Sequence, residues 1–147
     1  MNEAGFRKRV IQTATPLLAP GERILVAARS TVGSAGSQLA GAAAIAVGGA
    51  LGGLLAKPKA QFIALTDQRL ILLDRQFGGR PAATPSADIP RSAITLSKVS
   101  FFLVTRITLA VEGEPKGLSF GFPLIDRKDA KALIAELSTT AGQPQSA

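Results

Sequence analysis

Apolar and polar residues alternate most cleanly over Val104–Glu112, where Ile107, Leu109 and Val111 stand against Thr108, Ala110 and Glu112. That is the period of a half-buried strand. Leu118, Phe120 and Phe122 alternate with Ser119 and Gly121 in the same way, and Thr95–Phe102 is a further strand. Glu112-Gly113-Glu114-Pro115-Lys116-Gly117 between the last two is a turn by composition. Earlier in the chain, Glu22–Arg29 reads as the first strand, with Ile24, Val26 and Ala28 on one side. Gln61–Thr66 and Leu70–Arg75 flank the polar Thr66-Asp67-Gln68-Arg69, which is strand, tight turn, strand. Leu70-Ile71-Leu72-Leu73 is apolar on both faces, so this strand is expected to be covered on its outer side too, for example by a helix. Gly78-Gly79, Pro81 and Pro85 make Phe77–Ser86 a loop, and Pro90 limits Asp88–Ile94 to an edge-like segment.

Two helices bracket the strands. From Asp126, read as the N-cap, the residues Ala130, Leu133, Ile134 and Leu137 recur at i, i+3, i+4, i+7, with Asp129 in the first turn. At the other end Asn2–Leu18 is a short helix with Phe6, Val10 and Leu17 near one face and Arg7, Lys8 and Arg9 elsewhere. It packs on the strands, frays as a tail, or lies as a basic amphipathic helix on an anionic membrane. The domain reading is therefore a helix over 1–19, a β-rich domain over 20–137, and a disordered tail over 138–147.

One stretch breaks the pattern. Ser30–Ala56 carries no charge and consists mostly of glycine and alanine, bracketed by Arg29 and by Lys57 and Lys59. Small residues recur every fourth position, as in Ala40, Ala44, Gly48, Gly52 and Ala56, with Gly41, Gly49 and Gly53 repeating the spacing. This spacing lets apolar helices approach closely. Leu39, Ile45, Leu51, Leu54 and Leu55 supply a thin apolar payload. If the flanking strands share one sheet, both ends must emerge on the same side. A single span would tear the first strand away, and two spans need roughly 40 residues. Three readings stay open: a re-entrant or surface-lying helical hairpin in contact with membrane, a self-association element, and a linker.

Composition narrows the chemistry. The 147 residues hold no Cys and no His, which removes disulfides, the usual transition-metal ligands and the commonest general base. The Gly-Gly pairs at 48–49 and 52–53 lack the Lys-Ser/Thr of a phosphate loop. No enzyme activity, metal or cofactor is expected. A net charge of +7, from 17 Lys and Arg against 10 Asp and Glu, points to an anionic partner or to a solvated basic surface. The absence of Trp and Tyr and of aromatics between Arg7, Lys8 and Arg9 argues against nucleic-acid recognition. Arg7–Arg9 are not followed by the apolar core of a secretory signal, so the expected location is the cytoplasm.

Short antiparallel strands closed by one amphipathic C-terminal helix resemble the pleckstrin-homology-like fold, and the sequence is similar to the bacterial pleckstrin-homology-like (PH/GRAM-like) domains. Pro20-Gly21-Glu22-Arg23 resembles the family's entry segment, and Ala64–Leu73 its hairpin with a Thr-x-x-Arg turn. Ile89, Ile94, Phe120 and the final helix fall where the family has its later strands and cap. The resemblance spans Leu17–Leu137 apart from the glycine/alanine stretch. It implies a mainly β (α+β) fold: an antiparallel barrel or sandwich capped by the C-terminal helix, with a Gly/Ala-rich insertion between the first two strands. It also implies a non-enzymatic scaffold for membrane association or protein contacts. Eukaryotic relatives bind inositol phospholipids through basic residues around the first hairpin loop. Here that loop is the glycine/alanine stretch, so phosphoinositide binding does not carry over.

The expectation is a membrane-associated adaptor at the inner face of the cell membrane. Leu39, Gly41, Ile45, Gly48, Gly49, Leu51, Gly52, Leu54 and Leu55 would form the membrane or self-association element, and Arg7, Lys8, Arg9, Arg29, Lys57 and Lys59 would contact anionic lipid. The alternative is a protein-interaction domain that forms a homo-oligomer through packed small-residue helices. Arg69 reads as a hairpin-end residue with its stem on the barrel, or as a contact to a ligand.

Overall fold

The computed structural model describes residues 3–34, 58–76, 78–113 and 117–138. They form seven strands, β1 (Ile24–Ser34), β2 (Lys59–Thr66), β3 (Arg69–Asp74), β4 (Ala87–Pro90), β5 (Ile94–Ser100), β6 (Val104–Val111) and β7 (Leu118–Pro123). Helix α1 (Glu3–Ala14) precedes them and helix α2 (Arg127–Ser138) follows. All pairings are antiparallel, in the order β4-β3-β2-β1-β7-β6-β5. Strand β1 divides its length between its two partners. Ile24–Val32 pair with β2, and Thr31–Ser34 also pair with β7, from Thr31↔Gly121 to Ser34↔Leu118. One long strand thus joins the two halves of a curled half-barrel.

The inner face is filled by Ile63, Leu65, Leu70, Leu72, Ile107, Leu109, Phe120 and Phe122, all fully buried. The α2 stripe closes it with Ala130, Leu133 and Leu137 buried and Ile134 at the margin. The alternate residues of β2 and β3 point outward, yet they are buried as well. Phe62, Ala64, Ile71 and Leu73 meet Phe6, Val10 and Ala14 of α1 in a second cluster. The Leu70–Leu73 run is therefore two half-faces, one for each cluster, and its outer cover is a helix as the pattern predicts. Phe6 stacks on Phe62 with ring centroids 6.2 Å apart. Burying a side chain of this size stabilises by about 1.5–3 kcal/mol, so α1 is held by packing more than by its own propensity.

Three local expectations change. The helix ends at Ala14, and Pro16 sits in a 3-10 turn, Thr15–Leu17; the buried stripe is Phe6, Val10 and Ala14 rather than one ending on Leu17. Proline lacks the N–H that another α-helical turn would need. Next, β1 runs to Ser34, so Ser30–Ser34 belong to the sheet and not to an insertion. Ser30, Gly33 and Ser34 look loop-like, but Val32 is buried in the core, ladder bonds to β7 hold the segment and the Ser30 hydroxyl donates to the Gly121 carbonyl at 2.9 Å. Residues 35–57 lie outside the described residues. The sequence-predicted association positions Leu39, Gly41, Ile45, Gly48, Gly49, Leu51, Gly52, Leu54 and Leu55, and the lipid-contact candidate Lys57, lie there too. Last, Asp126 closes a 3-10 turn, Leu124–Asp126, and its carboxylate accepts from Arg29 instead of serving as an N-cap.

Candidate functional site

The hairpin motif and the entry segment meet in one polar cluster. The Thr66 hydroxyl oxygen accepts from the Gln68 and Arg69 amides at 3.0 and 2.9 Å, which closes the turn, and its O–H donates to Glu22 Oε2 at 2.5 Å. Arg69 then grips Glu22 with two parallel bonds, Nε to Oε2 and Nη2 to Oε1, both 2.9 Å. Its remaining donors reach Asp88 Oδ2 and the Leu17 carbonyl at 2.8 Å each. The Glu22 side chain is fully buried. Burial alone would raise its pKa, but the Arg69 hydrogen bonds outweigh it and hold the carboxyl at about 2, with the Thr66 hydroxyl and Ala19 amide contributing. The same pairing raises the Arg69 guanidinium above its ordinary value. Every polar arm of Arg69 is thus used to join the entry segment, the hairpin and β4. The Thr-x-x-Arg turn is a structural clasp.

The basic residues separate into two groups by geometry. Arg7 is ion-paired with the buried Asp129, and Arg29 binds Asp126 with Nε and Nη2 at 3.2 and 3.4 Å. Arg29 also lies over the Phe6 ring, 4.6 Å from its centroid. These two arginines fasten α1, β1 and the start of α2 together. Lys59 lies 3.4 Å from Asp74 at a half-exposed position. Lys8 and Arg9 project from the outer side of α1 and are exposed. Arg9 faces Arg80 across an open hollow of about 640 Å³ that Gln12, Thr13 and Gln76 also line. The structure therefore sets Arg9 of α1 and Arg80 of the β3–β4 loop around one hollow.

A smaller cavity of about 240 Å³ lies between Phe6, Arg29, Gln61, Arg75 and Asp126. Its polar groups are largely committed. Gln61 donates to Asp74 at 2.5 Å and accepts from the Ser86 hydroxyl at 2.7 Å, while Asp126 is taken by Arg29. No nucleophile with an adjacent base lines it, and no group of three metal-ligating side chains occurs among the described residues. No helix among the described residues is long and apolar enough to cross a membrane.

One surface escaped the sequence reading. Phe101, Phe102 and Leu103 form the tip between β5 and β6 and are 51%, 74% and 66% exposed. Val104 pairs in register with Pro123, so Leu124 and Ile125, at 56% and 74% exposure, come next to this tip. The available signal is three consecutive large apolar residues where a hairpin turn normally carries Gly, Asn or Asp.

No protein-family model matches the sequence, and no curated protein does either. Solved structures match in fold. The chain is similar to a pleckstrin homology domain from Shewanella amazonensis, at 14% identity over 92% of this chain and 97% of that one, with a TM-score of 0.51. It is also similar to a DUF1696-family protein with a pleckstrin-homology domain from Shewanella loihica, at 18% identity over 90% and 92% of the two chains, TM-score 0.51. A Vav1 exchange-factor structure with PH and C1 domains matches at 10% identity and a TM-score of 0.55, over 95% of this chain and 34% of that one. The chain thus spans about a third of the Vav1 chain. The fold is pleckstrin-homology-like.

Proposed function

We propose that this chain is a non-enzymatic adaptor that docks on the anionic cytoplasmic face of a membrane. Its unpaired cations provide the attraction, and the glycine/alanine stretch between β1 and β2 is a second contact. The pleckstrin-homology-like fold supports a binding module for lipid or protein. The observation that carries the membrane reading is the allocation of charge. Glu22, Asp67, Asp74, Asp88, Asp126 and Asp129 each take an arginine or lysine partner. Among the described residues Lys8, Arg9, Arg75, Arg80, Lys98, Arg106, Arg127, Lys128 and Lys131 form no ion pair. All but the partly buried Arg127 are exposed. Among the described residues the cations outside these pairs therefore lie mostly on the surface.

Each basic side chain close to an anionic bilayer contributes about 1 kcal/mol. Replacing Lys8, Arg9 and Arg80 together with glutamine should therefore weaken binding to vesicles containing phosphatidylglycerol about 100-fold. Co-sedimentation at 50 and 300 mM salt tests this. Binding of the wild-type chain that is equal on neutral phosphatidylcholine vesicles, or insensitive to salt, would rule the reading out.

A further inference from the structure

We infer that the β5–β6 tip and the turn before α2 form an apolar wedge that enters the interfacial layer of an anionic bilayer, an inference that rests on the membrane reading above. Phe101, Phe102 and Leu103 project at the tip, and Leu124 and Ile125 extend the patch from the neighbouring strand end. None of these side chains is needed to fill either hydrophobic cluster. A contiguous apolar surface left in water on an otherwise well-packed domain marks a contact site.

The tip is also held in place. Arg127, at the start of α2, donates from Nη2 to the Phe102 carbonyl, and its guanidinium lies over the Phe101 ring at 5.8 Å. The wedge is thereby tied to the rigid end of a helix.

Charge selects lipid as the occupant. Both carboxylates at the start of α2 turn inward, Asp126 to Arg29 and Asp129 to Arg7. What remains on the surface around the patch is cationic: Arg127 and Lys128 beside Ile125, and Arg106 two residues beyond Val104 on β6. Val104 and Arg106 both border Gly121 on the outer face of the sheet. A protruding apolar tip with a cationic rim and, among the described residues, no facing carboxylate fits a fluid bilayer carrying anionic headgroups.

The chain has no cysteine, so a single one can be placed and labelled. Phe102→Cys carrying an environment-sensitive fluorophore should shift to the blue on addition of vesicles of phosphatidylglycerol and phosphatidylcholine. The same label at Gln68→Cys should not. Gln68 is exposed, and its carbonyl accepts from Arg91, at the far end of β5 from the tip. In the unlabelled full chain, Phe102→Ser with Ile125→Ser should reduce co-sedimentation with these vesicles at least about tenfold, with an unchanged circular dichroism spectrum and melting temperature.

Wild-type binding that is retained in the double variant, without a spectral shift at position 102, overturns the wedge and leaves the electrostatic reading standing. A wild-type chain that ignores anionic vesicles overturns both. An oligomer that the double variant dissolves, with vesicle binding intact, assigns the patch to a second copy of the chain and also overturns the wedge.

Discussion

Replacing Glu22 with glutamine isolates the charge at the centre of the clasp. Glutamine keeps the shape of the side chain and one acceptor oxygen, and Arg69 keeps its bonds to Asp88 and the Leu17 carbonyl. What disappears is the negative charge that the fold stabilises. That stabilisation is written in the carboxyl pKa, which falls from 4.5 to about 2 on folding. At 1.36 kcal/mol per unit, the difference is worth about 3 kcal/mol at neutral pH. Because the folded value lies below the unfolded one, the contribution is complete above about pH 4.5 and is lost as the pH falls toward 2. Urea unfolding of both proteins between pH 7 and pH 3 reads this directly. The wild-type chain should be more stable by about 3 kcal/mol at pH 7, and by only about 1 kcal/mol at pH 3. Other carboxylates titrate in both proteins and cancel in the difference. A gap that is the same at pH 7 and pH 3 would show that Glu22 acts through packing alone and refute the argument.

Other outcomes test the packing. Phe6→Ala removes the ring shared by Phe62, Arg7 and Arg29, and should cost about 3–5 kcal/mol in urea unfolding; a loss below 1 kcal/mol would mean α1 is not part of the cooperative unit. Two glycines beside β6 should behave oppositely. A Cβ on Gly117 would lie 2.0 Å from the Leu109 carbonyl oxygen, so Gly117→Ala must displace backbone and should lower stability by roughly 1–3 kcal/mol. At Gly121 the nearest atom is a Val104 methyl at 3.5 Å, an ordinary contact, so Gly121→Ala should shift the melting temperature little.

Charge allocation is what links the fold to the proposed membrane contact. Six carboxylates are consumed in ion pairs that fasten one element to another, and two of those pairs span most of the chain. Arg7 and Asp129 are separated by 122 positions, Arg29 and Asp126 by 97. The sequence groups Arg7, Lys8 and Arg9 as one basic run, but successive helical residues point in different directions. Only Lys8 and Arg9 of the three face outward, and Arg7 turns in to Asp129. A charge run read along the chain therefore overstates the cations available on any one surface.

Much of the architecture was decided locally. Period-two alternation in β6 and β7, the Thr66–Arg69 turn and the apolar stripe of α2 each follow from side-chain chemistry within a dozen residues. The two-sided run Leu70–Leu73 even announced a cover on its outer face, because apolar side chains on both faces of a strand require two partners; that the cover is α1 came from the fold. Tertiary structure decided the rest. The far end of β1 is strand because β7 pairs with it: Thr31 and Val32 suit a strand, but Ser30, Gly33 and Ser34 read as loop. Which arginines are clasps and which remain on the surface depended on carboxylates in other elements, from 19 positions away for Arg69 and Asp88 to 122 for Arg7 and Asp129. The apolar tip became visible only when the sheet left Phe101–Leu103 with nothing to pack against. Local pattern fixes what a segment prefers; exposure and pairing are properties of the space around it, which the chain creates only by folding.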